Sequence, residues 1–226
     1  MNYNSHFLYL TVDVLSVIVP FACSFEKRIN FWGNRKRIAQ SIGIVAIGFI
    51  IWDAVFTRLG VWGFSPNYTL GIKIDGLPLE EILFFICIPY SCLFSYEVIN
   101  YFGKKFSNKI RPNAFISMAV GCLVIAIIHY DKLYTLTAFG GAAIFLFLLR
   151  NQVFAFAFIR VYIITLIPFL IVNGILTGYI TPEPVVWYND AENLGIRLGT
   201  IPVEDFFYGM QLNGWVVWLY ARGVRG

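Results

Sequence analysis

Residues 152–174 read QVFAFAFIRVYIITLIPFLIVNG, and Arg160 is the only charged residue in this stretch. A helix needs about 20 mostly apolar residues to cross the roughly 30 Å hydrocarbon core of a bilayer. The run of 23 residues is long enough to do so. It therefore predicts a membrane-spanning helix and decides the class of fold in which the rest of the chain is interpreted.

The composition of the whole chain agrees with that prediction. Of 226 residues, 58% are hydrophobic and only 13% are charged, which is too apolar for a globular protein in water. The formal net charge is +4, but the basic residues form short clusters between apolar runs, so we exclude nucleic acid as a partner. The four cysteines and two histidines show no metal-ligand spacing, and no metal site is predicted.

Six further runs meet or approach the length of a span. The seven runs together predict an all-α polytopic integral membrane protein with seven transmembrane helices. In chain order the predicted spans are residues 5–23, 38–57, 78–100, 114–130, 133–149, 152–174 and 202–221. Only Asp131 and Lys132 separate the fourth run from the fifth, so a tight hairpin is expected there.

Basic residues between the spans fall mainly on one side of the predicted membrane, twelve against four. Because cytoplasmic loops are enriched in Lys and Arg, the N-terminus is predicted outside and the C-terminus inside. We expect a bacterial or archaeal cytoplasmic membrane. The twelve are Lys27, Arg28, Arg35, Lys36, Arg37, Lys104, Lys105, Lys109, Arg111, Arg150, Arg222 and Arg225, and the four are Arg58, Lys73, Lys132 and Arg197.

A short pattern occurs twice in the chain: LPLEE at residues 77–81 recurs as IPVED at residues 201–205, at an offset of 124. Four helices separate the copies, so both point the same way and an axis along the membrane normal is expected to relate the two halves. We predict two parallel three-helix repeats joined by a linker helix. Half one is about 5–103, the linker helix about 114–130 and half two about 133–224.

Each copy of the pattern places two adjacent carboxyls in the first turn of a helix, after a proline that fits such a turn. A helix cap needs one acid, whereas each copy has two at the edge of the membrane. We therefore predict catalytic acids, with helix capping as the alternative. The candidates are Glu80, Glu81, Glu204 and Asp205. Because adjacent helix residues point about 100° apart, we expect one acid of each pair to face the site.

Two more polar side chains are expected at the depth of the acids. Asp53 and Asn173 lie in the outer thirds of the second and sixth helices. They hold similar places in the two halves. Asp53 comes 25 residues before Pro78, and Asn173 comes 29 residues before Pro202. We predict that both support the acids.

The outer segments, residues 58–77 and 175–201, are longer than ordinary helix connections. They are candidates for lids over the site. The alternative is that Trp62 and Trp187 are anchors at the membrane interface and that the segments only span the gap between helices.

Arg160 is predicted inside the sixth span, and Asp13 on the first helix lies at a similar depth. We predict a structural ion pair between them. The alternative is a supporting role for Arg160 at the site, because ionisable residues inside membranes are often functional.

Three segments resemble the lycopene cyclase domain family, the heterodimeric-type carotenoid cyclases, in the form with both halves fused in one chain. They are GLPLEEILFF at residues 76–85, VNGILTG at residues 172–178 and GTIPVEDFFY at residues 199–208. The resemblance covers nearly the whole chain. It implies an isomerase that closes the linear ends of lycopene, or of a related linear carotenoid entering from lipid, into six-membered rings. We expect no fused phytoene synthase domain, because the sequence ends just after the seventh run.

Such ring closure needs a proton donor, a held carbocation and a base. Carboxylic acids in apolar surroundings can hold a proton ready. Aromatic faces attract cations by about 0.5 to 2 kcal/mol each, so the aromatic residues after the acids are candidates for stabilising the cation, with core packing as the alternative. These residues are Phe84, Phe85, Phe206, Phe207 and Tyr208.

No Gly-x-Gly-x-x-Gly pattern follows a strand pattern, so no flavin or nicotinamide site is predicted and the reaction is expected to need no cofactor. A membrane transporter built from parallel three-helix repeats is one alternative, since it would share the architecture and the intramembrane carboxyls. Another enzyme acting on carotenoid ends, such as a hydratase, is a second. The sequence leaves open whether one or both ends are cyclised, where the ring double bond falls, and whether the chain forms a homo-oligomer.

Overall fold

The structure is a computed structural model that describes residues 6–103 and 111–223. Within those ranges it contains seven α-helices, each beginning and ending within three residues of a predicted span. They are α1 (Leu8–Cys23), α2 (Arg35–Arg58), α3 (Leu79–Phe102), α4 (Pro112–Ile128), α5 (Leu133–Leu149), α6 (Ala155–Leu176) and α7 (Val203–Arg222). Lys104, Lys105, Lys109 and Arg225, and the predicted boundaries at residues 5 and 224, lie outside the described residues.

Three helical segments within the described ranges are long and apolar enough to cross a membrane by length and composition: Trp32–Arg58, Leu79–Phe102 and Ala155–Leu176. α1, α4 and α5 are apolar but shorter, with 16 or 17 residues each. Large apolar side chains remain exposed on the outer faces of the helices; Ile167 on α6, for example, is 67% exposed. The bundle therefore presents an apolar surface to its surroundings.

The expectation of an all-α chain needs correction in the outer segments, which contain six short strands. They are β1 (Trp62–Phe64), β2 (Lys73–Ile74), β3 (Leu77–Pro78), β4 (Val186–Tyr188), β5 (Arg197–Leu198) and β6 (Ile201–Pro202). β2 and β3 form an antiparallel hairpin directly before α3, and β5 and β6 form one before α7. Asp75 and Gly76 both have positive φ, 53° and 91°, as a two-residue type I′ turn requires.

The strands recur with the spacing of the repeated pattern, because β4, β5 and β6 lie 124 residues after β1, β2 and β3. β1 and β4 pair with each other and form an antiparallel ribbon in which Gly63 lies opposite Trp187. On either side Trp62 faces Tyr188 and Phe64 faces Val186. Exchanging the two strands leaves this register unchanged, so a local two-fold axis passes through the Gly63–Trp187 pair.

Helix packing follows the same relation. α1 packs against α3 and the corresponding α5 packs against α7, while α2 packs against α7 and the corresponding α3 packs against α6. α4 packs on α5. These pairings agree with two similar halves, whereas the exact limits of the halves and the linker role of α4 stay predictions.

The predicted ion pair between Asp13 and Arg160 is wrong. Arg160 donates hydrogen bonds to Oδ1 of Asn100 at 2.7 Å and to the carbonyl of Gly103 at 3.3 Å, so it binds the end of α3, where free helix carbonyls favour a cation. Asp13 is 1% exposed, and neither of its oxygens has a hydrogen-bond partner among the described residues. The long arginine side chain reaches toward the helix end instead of across the bundle.

Candidate active site

A cavity of about 450 Å³ lies between α1, α3, α6 and α7, beneath the β1–β4 ribbon. Apolar side chains such as Val12, Ile88 and Leu212 form much of its wall. Along α3 its lining extends from Glu81 to Ser95, a rise of about 21 Å. The cavity is therefore elongated, and its ribbon end holds the acidic groups.

The structure separates the two acids of each pair. Glu81 and Asp205 line the cavity, whereas Glu80 and Glu204 do not. All four are buried, with exposures of 8%, 3%, 0% and 0% in that order. The expectation that one acid per pair faces the site therefore agrees with the geometry, and the second acid of each pair is the one that does so.

Glu80 and Glu204 anchor the outer segments to the helices. Oε1 of Glu80 accepts a hydrogen bond from the backbone N–H of Leu70 at 2.6 Å, and Oε1 of Glu204 accepts one from Leu194 at 2.8 Å. Both contacts cross the same ten-residue separation, so one interaction is made twice. Glu204 also accepts a hydrogen bond from the hydroxyl of Thr135 at 2.7 Å. These carboxylates hold the hairpins before α3 and α7.

The carboxyl of Glu81 has one hydrogen-bond donor within the described part of the chain. The Tyr9 hydroxyl on α1 donates to its Oε2 at 2.5 Å. Asp53 also lines the cavity and is 2% exposed. The indole N–H of Trp62 donates to Oδ1 of Asp53, and Oδ2 of Asp53 is buried without a partner among the described residues. The predicted supporting residue Asp53 therefore reaches the site together with a tryptophan from the ribbon.

Asp205 has three donors from three different elements. The hydroxyl of Tyr134 on α5 donates to Oδ1 at 2.5 Å, and the hydroxyl of Tyr188 on β4 donates to Oδ2 at 2.9 Å. The side-chain amide of Asn173 on α6 donates to the same Oδ2 at 3.3 Å. Hydrogen bonds from so many donors stabilise a carboxylate. The predicted supporting residue Asn173 is thus in direct contact with one of the acids.

Aromatic rings surround the acidic end of the cavity. The rings of Tyr134 and Tyr188 stack with centroids 5.8 Å apart, and the ring of Tyr134 lies 5.0 Å from that of Trp62. Such faces can stabilise a positive charge. The aromatic side chains that line this end are Tyr9, Trp62, Phe84, Tyr134, Tyr188 and Tyr208.

The structure divides the aromatic residues that sequence reasoning had grouped. Phe84 and Tyr208 line the cavity, while Phe85, Phe206 and Phe207 do not. Phe85 is 1% exposed within the main core, and the ring of Phe207 lies 4.3 Å from that of Phe139. Phe206 packs on Phe169, with ring centroids 5.0 Å apart. The packing alternative therefore accounts for these three. Arg160 does not line the cavity either.

The two outer segments interlock above the cavity. The N–H of Ser65 donates to the carbonyl of Val185 at 2.8 Å, and Oε1 of Glu183 accepts hydrogen bonds from Asn67 at 2.5 Å and from the Ser65 hydroxyl at 2.9 Å. These side-chain hydrogen bonds, from Asn67 first and then Ser65, lower the pKa of Glu183. The segments therefore form a roof that joins both halves.

The two tryptophans of the outer segments have different surroundings. Trp62 is 5% exposed and belongs to the site, which does not fit a membrane-interface anchor. Trp187 is 43% exposed and covers Gly63, where an added Cβ would approach its ring to 2.4 Å. Only a glycine lets the indole lie that close to the ribbon.

One side of the cavity is open between α1 and α6. Leu15 on α1 and Ile171 on α6 both line the cavity, yet they are 66% and 61% exposed on the outer surface. An apolar molecule outside the bundle can therefore reach the acidic end sideways.

Sequence reasoning missed the hydroxyl and indole donors Tyr9, Trp62, Tyr134 and Tyr188. One signal was present, because Tyr9 and Tyr134 are 125 residues apart, close to the repeat offset. No local pattern marks Trp62 and Tyr188, which meet through pairing of strands far apart in the chain.

The sequence model of the lycopene cyclase family matches residues 6–99 and 131–222. Curated relatives include bifunctional lycopene cyclase/phytoene synthases from three fungi. The Podospora anserina protein is 25% identical over 83 residues, which are 37% of this chain and 13% of that protein. The Colletotrichum graminicola protein is 31% identical over 70 residues, 30% of this chain and 12% of that protein. For the Neurospora crassa protein the values are 26%, 101 residues, 43% and 16%.

The chain thus matches less than a fifth of the length of each of these relatives. Their fungal origin lends no support to the expectation of a bacterial or archaeal membrane. No solved structure matches the chain. The two segments matched by the family model each carry one copy of the repeated acidic pattern and together make up most of the sequence. This chain therefore belongs to the lycopene cyclase family.

Proposed function

We propose that the protein is a carotenoid cyclase, which closes the linear end groups of lycopene or a related linear carotenoid into six-membered rings without net oxidation or reduction. The observation that carries this proposal is the placement of Glu81 and Asp205 at one end of a long apolar cavity. A linear polyene is itself long and apolar, and it reacts at its end. The cavity therefore matches both the body of such a substrate and the position of its reacting group.

We also propose that all seven helices cross a membrane, with the N-terminus outside. Exposed apolar side chains on α6, such as Ile163, Ile167 and Ile171, support this, because apolar surface left in water costs about 25 cal/mol per Å². α2 begins at Arg35 and α7 ends at Arg222, so these basic residues lie at the helix ends away from the acids. The acidic end of the cavity is then near the outer face.

Lipid is then the source of the substrate. The opening between Leu15 and Ile171 faces the hydrocarbon region, so a carotenoid can enter sideways and place one end beneath the ribbon. The interlocked outer segments keep water away from that end. Exclusion of water matters because a carbocation that meets water is hydrated instead of cyclised.

The reaction itself needs one proton in and one proton out. A carboxyl O–H protonates one carbon of the terminal double bond; the π electrons form the new C–H bond, and the adjacent carbon becomes cationic. A neighbouring double bond attacks that carbon and forms the ring C–C bond. A carboxylate then removes a proton beside the new cationic centre, and the C–H electrons form the ring double bond. The product is an isomer of the substrate, so no cofactor is required.

The aromatic end of the cavity suits the cationic stage. The rings of Trp62, Tyr134, Tyr188 and Tyr208 lie around the two acids, and each ring face contributes about 0.5 to 2 kcal/mol of attraction to a desolvated cation. Their hydroxyl and indole dipoles are fixed by the packing, so little reorganisation is needed when charge develops.

Expression in cells that accumulate lycopene, followed by pigment chromatography, tests the proposal. We expect cyclised carotenoids with the natural sequence and lycopene alone with Asp205→Asn at equal membrane levels. Lycopene alone with the natural sequence, at normal membrane levels, would contradict the proposal. A hydrated acyclic product would instead assign the cavity to a hydratase.

A further inference from the structure

Glu81 and Asp205 occupy corresponding positions in the two halves, but their surroundings differ. Asp205 accepts hydrogen bonds on both oxygens, from Tyr134, Tyr188 and Asn173. Within the described ranges Glu81 accepts one only, from Tyr9. Tyr9 and Tyr134 are equivalent donors on corresponding helices. The difference between the acids therefore lies in the other two donors of Asp205.

The repeat shows what stands in half one where half two has those donors. At the offset of 124 that relates β1 to β4, the counterpart of Tyr188 is Phe64, which has no hydroxyl. The place of Asn173 before its acidic pattern corresponds to that of Asp53. Asp53 is a carboxyl, so half one has an acid where half two has an amide donor. Both changes remove donors from the side of Glu81.

On the basis of the cyclase function above, we propose that the two acids have fixed and different roles: Glu81 is the proton donor, and Asp205 is the charged base. Tyr188 and Asn173 are the positioning residues that set this difference.

Hydrogen bonding determines the charge of Asp205. Hydrogen bonds to an ionised group are about twice as strong as those between neutral groups, so three donors favour the carboxylate. The side-chain amide N–H of Asn173 can only donate, and Oδ2 must accept it. A carboxylate at this position also lies ready to take a proton from the substrate and to face the cation before that.

Charge repulsion and the lack of cations determine the state of Glu81. Asp53, Glu81 and Asp205 all line the cavity, and the described residues that line it include no Lys or Arg. With Asp205 charged, a second buried carboxylate in the same apolar space has neither a cation nor enough donors to compensate it. Glu81 therefore keeps its proton until a substrate double bond takes it. One proton returns from Asp205 to Glu81 before the next turnover.

Infrared spectroscopy of the purified protein tests the charge states without substrate. A protonated carboxyl and a carboxylate absorb in separate regions, and each substitution removes the band of one residue. We expect Glu81→Gln to remove a protonated-carboxyl band and Asp205→Asn to remove a carboxylate band. The reverse pattern, or the same pattern from both variants, would overturn the proposal. The cyclisation assay is independent, so failure of the function and failure of the role assignment are distinguishable.

A second pair of variants tests the positioning role and does not depend on losing either acid. In Tyr188→Phe, we expect the carboxylate band of Asp205 to shift and turnover to fall about tenfold, the effect of losing one hydrogen bond to a charged group. Phe64→Tyr is the matched control at the corresponding position of β1, and it should leave both unchanged. An unshifted band in Tyr188→Phe, or equal shifts in the two variants, would refute the role of Tyr188.

Discussion

Neighbouring acids in one helical turn give opposite predictions, which makes Glu80→Gln and Glu81→Gln a matched pair. Both substitutions replace a buried carboxyl by an amide of the same shape at the start of α3. Glu81 faces the cavity, whereas Glu80 accepts the backbone N–H of Leu70. We expect Glu81→Gln to abolish cyclisation in a folded protein, and Glu80→Gln to weaken folding while leaving turnover per folded molecule within about threefold.

The magnitudes follow from the contacts. Glutamine can neither donate a proton as an acid nor act as a base, and loss of general acid–base catalysis costs about 10² to 10⁴ in rate. At Glu80 the amide oxygen can still accept the hydrogen bond of 2.6 Å from Leu70, so only the charge is lost. The difference between a charge-assisted and a neutral hydrogen bond is about 1 kcal/mol. For a chain of this length that lowers Tm by about 2 to 4 °C.

The assay reconstitutes both variants in liposomes, normalises the rate to folded protein and measures Tm separately. Glu204→Gln and Asp205→Asn form the same pair in half two and serve as an internal replicate. Loss of turnover in Glu80→Gln at normal Tm, together with near-normal turnover in Glu81→Gln, would refute the separation of anchoring and catalytic acids.

Three further predictions concern the cavity, the ribbon and the roof. Ser91→Trp fills the cavity and should reduce cyclisation at least tenfold, whereas Ser117→Trp on the exposed face of α4 should not. Gly63→Ala, whose Cβ would meet the facing indole at 2.4 Å, should lower Tm, while Gly43→Ala, with nothing within 4 Å, should not. The pKa of Glu183 is lowered by its donors, so its stabilising effect is complete above the ordinary value and is lost as pH falls through the lowered one. Limited proteolysis of the roof should therefore increase below about pH 4 and become insensitive to pH in Glu183→Gln.

The helices could be predicted from the sequence because the length of an apolar run is a local property. Every helix in the described ranges lies within three residues of a predicted span. The short strands were missed for two reasons. The turn at Asp75-Gly76 is a local signal that a search for apolar runs does not weigh. The pairing of Trp62 with Tyr188 joins residues 126 apart, and no local pattern predicts it.

The site was predicted in outline only. The repeat identified the four acids, but the choice of Glu81 over Glu80 depends on how α3 is rotated about its axis, which residue spacing does not give. The Asp13–Arg160 pair failed for the same reason, since equal depth in the membrane says nothing about which way two side chains point. The donor Tyr188 reaches the site only through the ribbon.

Solvent deuterium incorporation tests the acid-catalysed isomerisation most directly. Purified protein in liposomes is given lycopene in D₂O without added flavin or nicotinamide, and the cyclised pigment is analysed by mass spectrometry. Because one proton enters from a carboxyl that exchanges with solvent and a different one leaves, each ring closed should carry one deuterium. Rings without deuterium, or a product that differs from lycopene by two hydrogen atoms, would contradict proton transfer by Glu81 and Asp205.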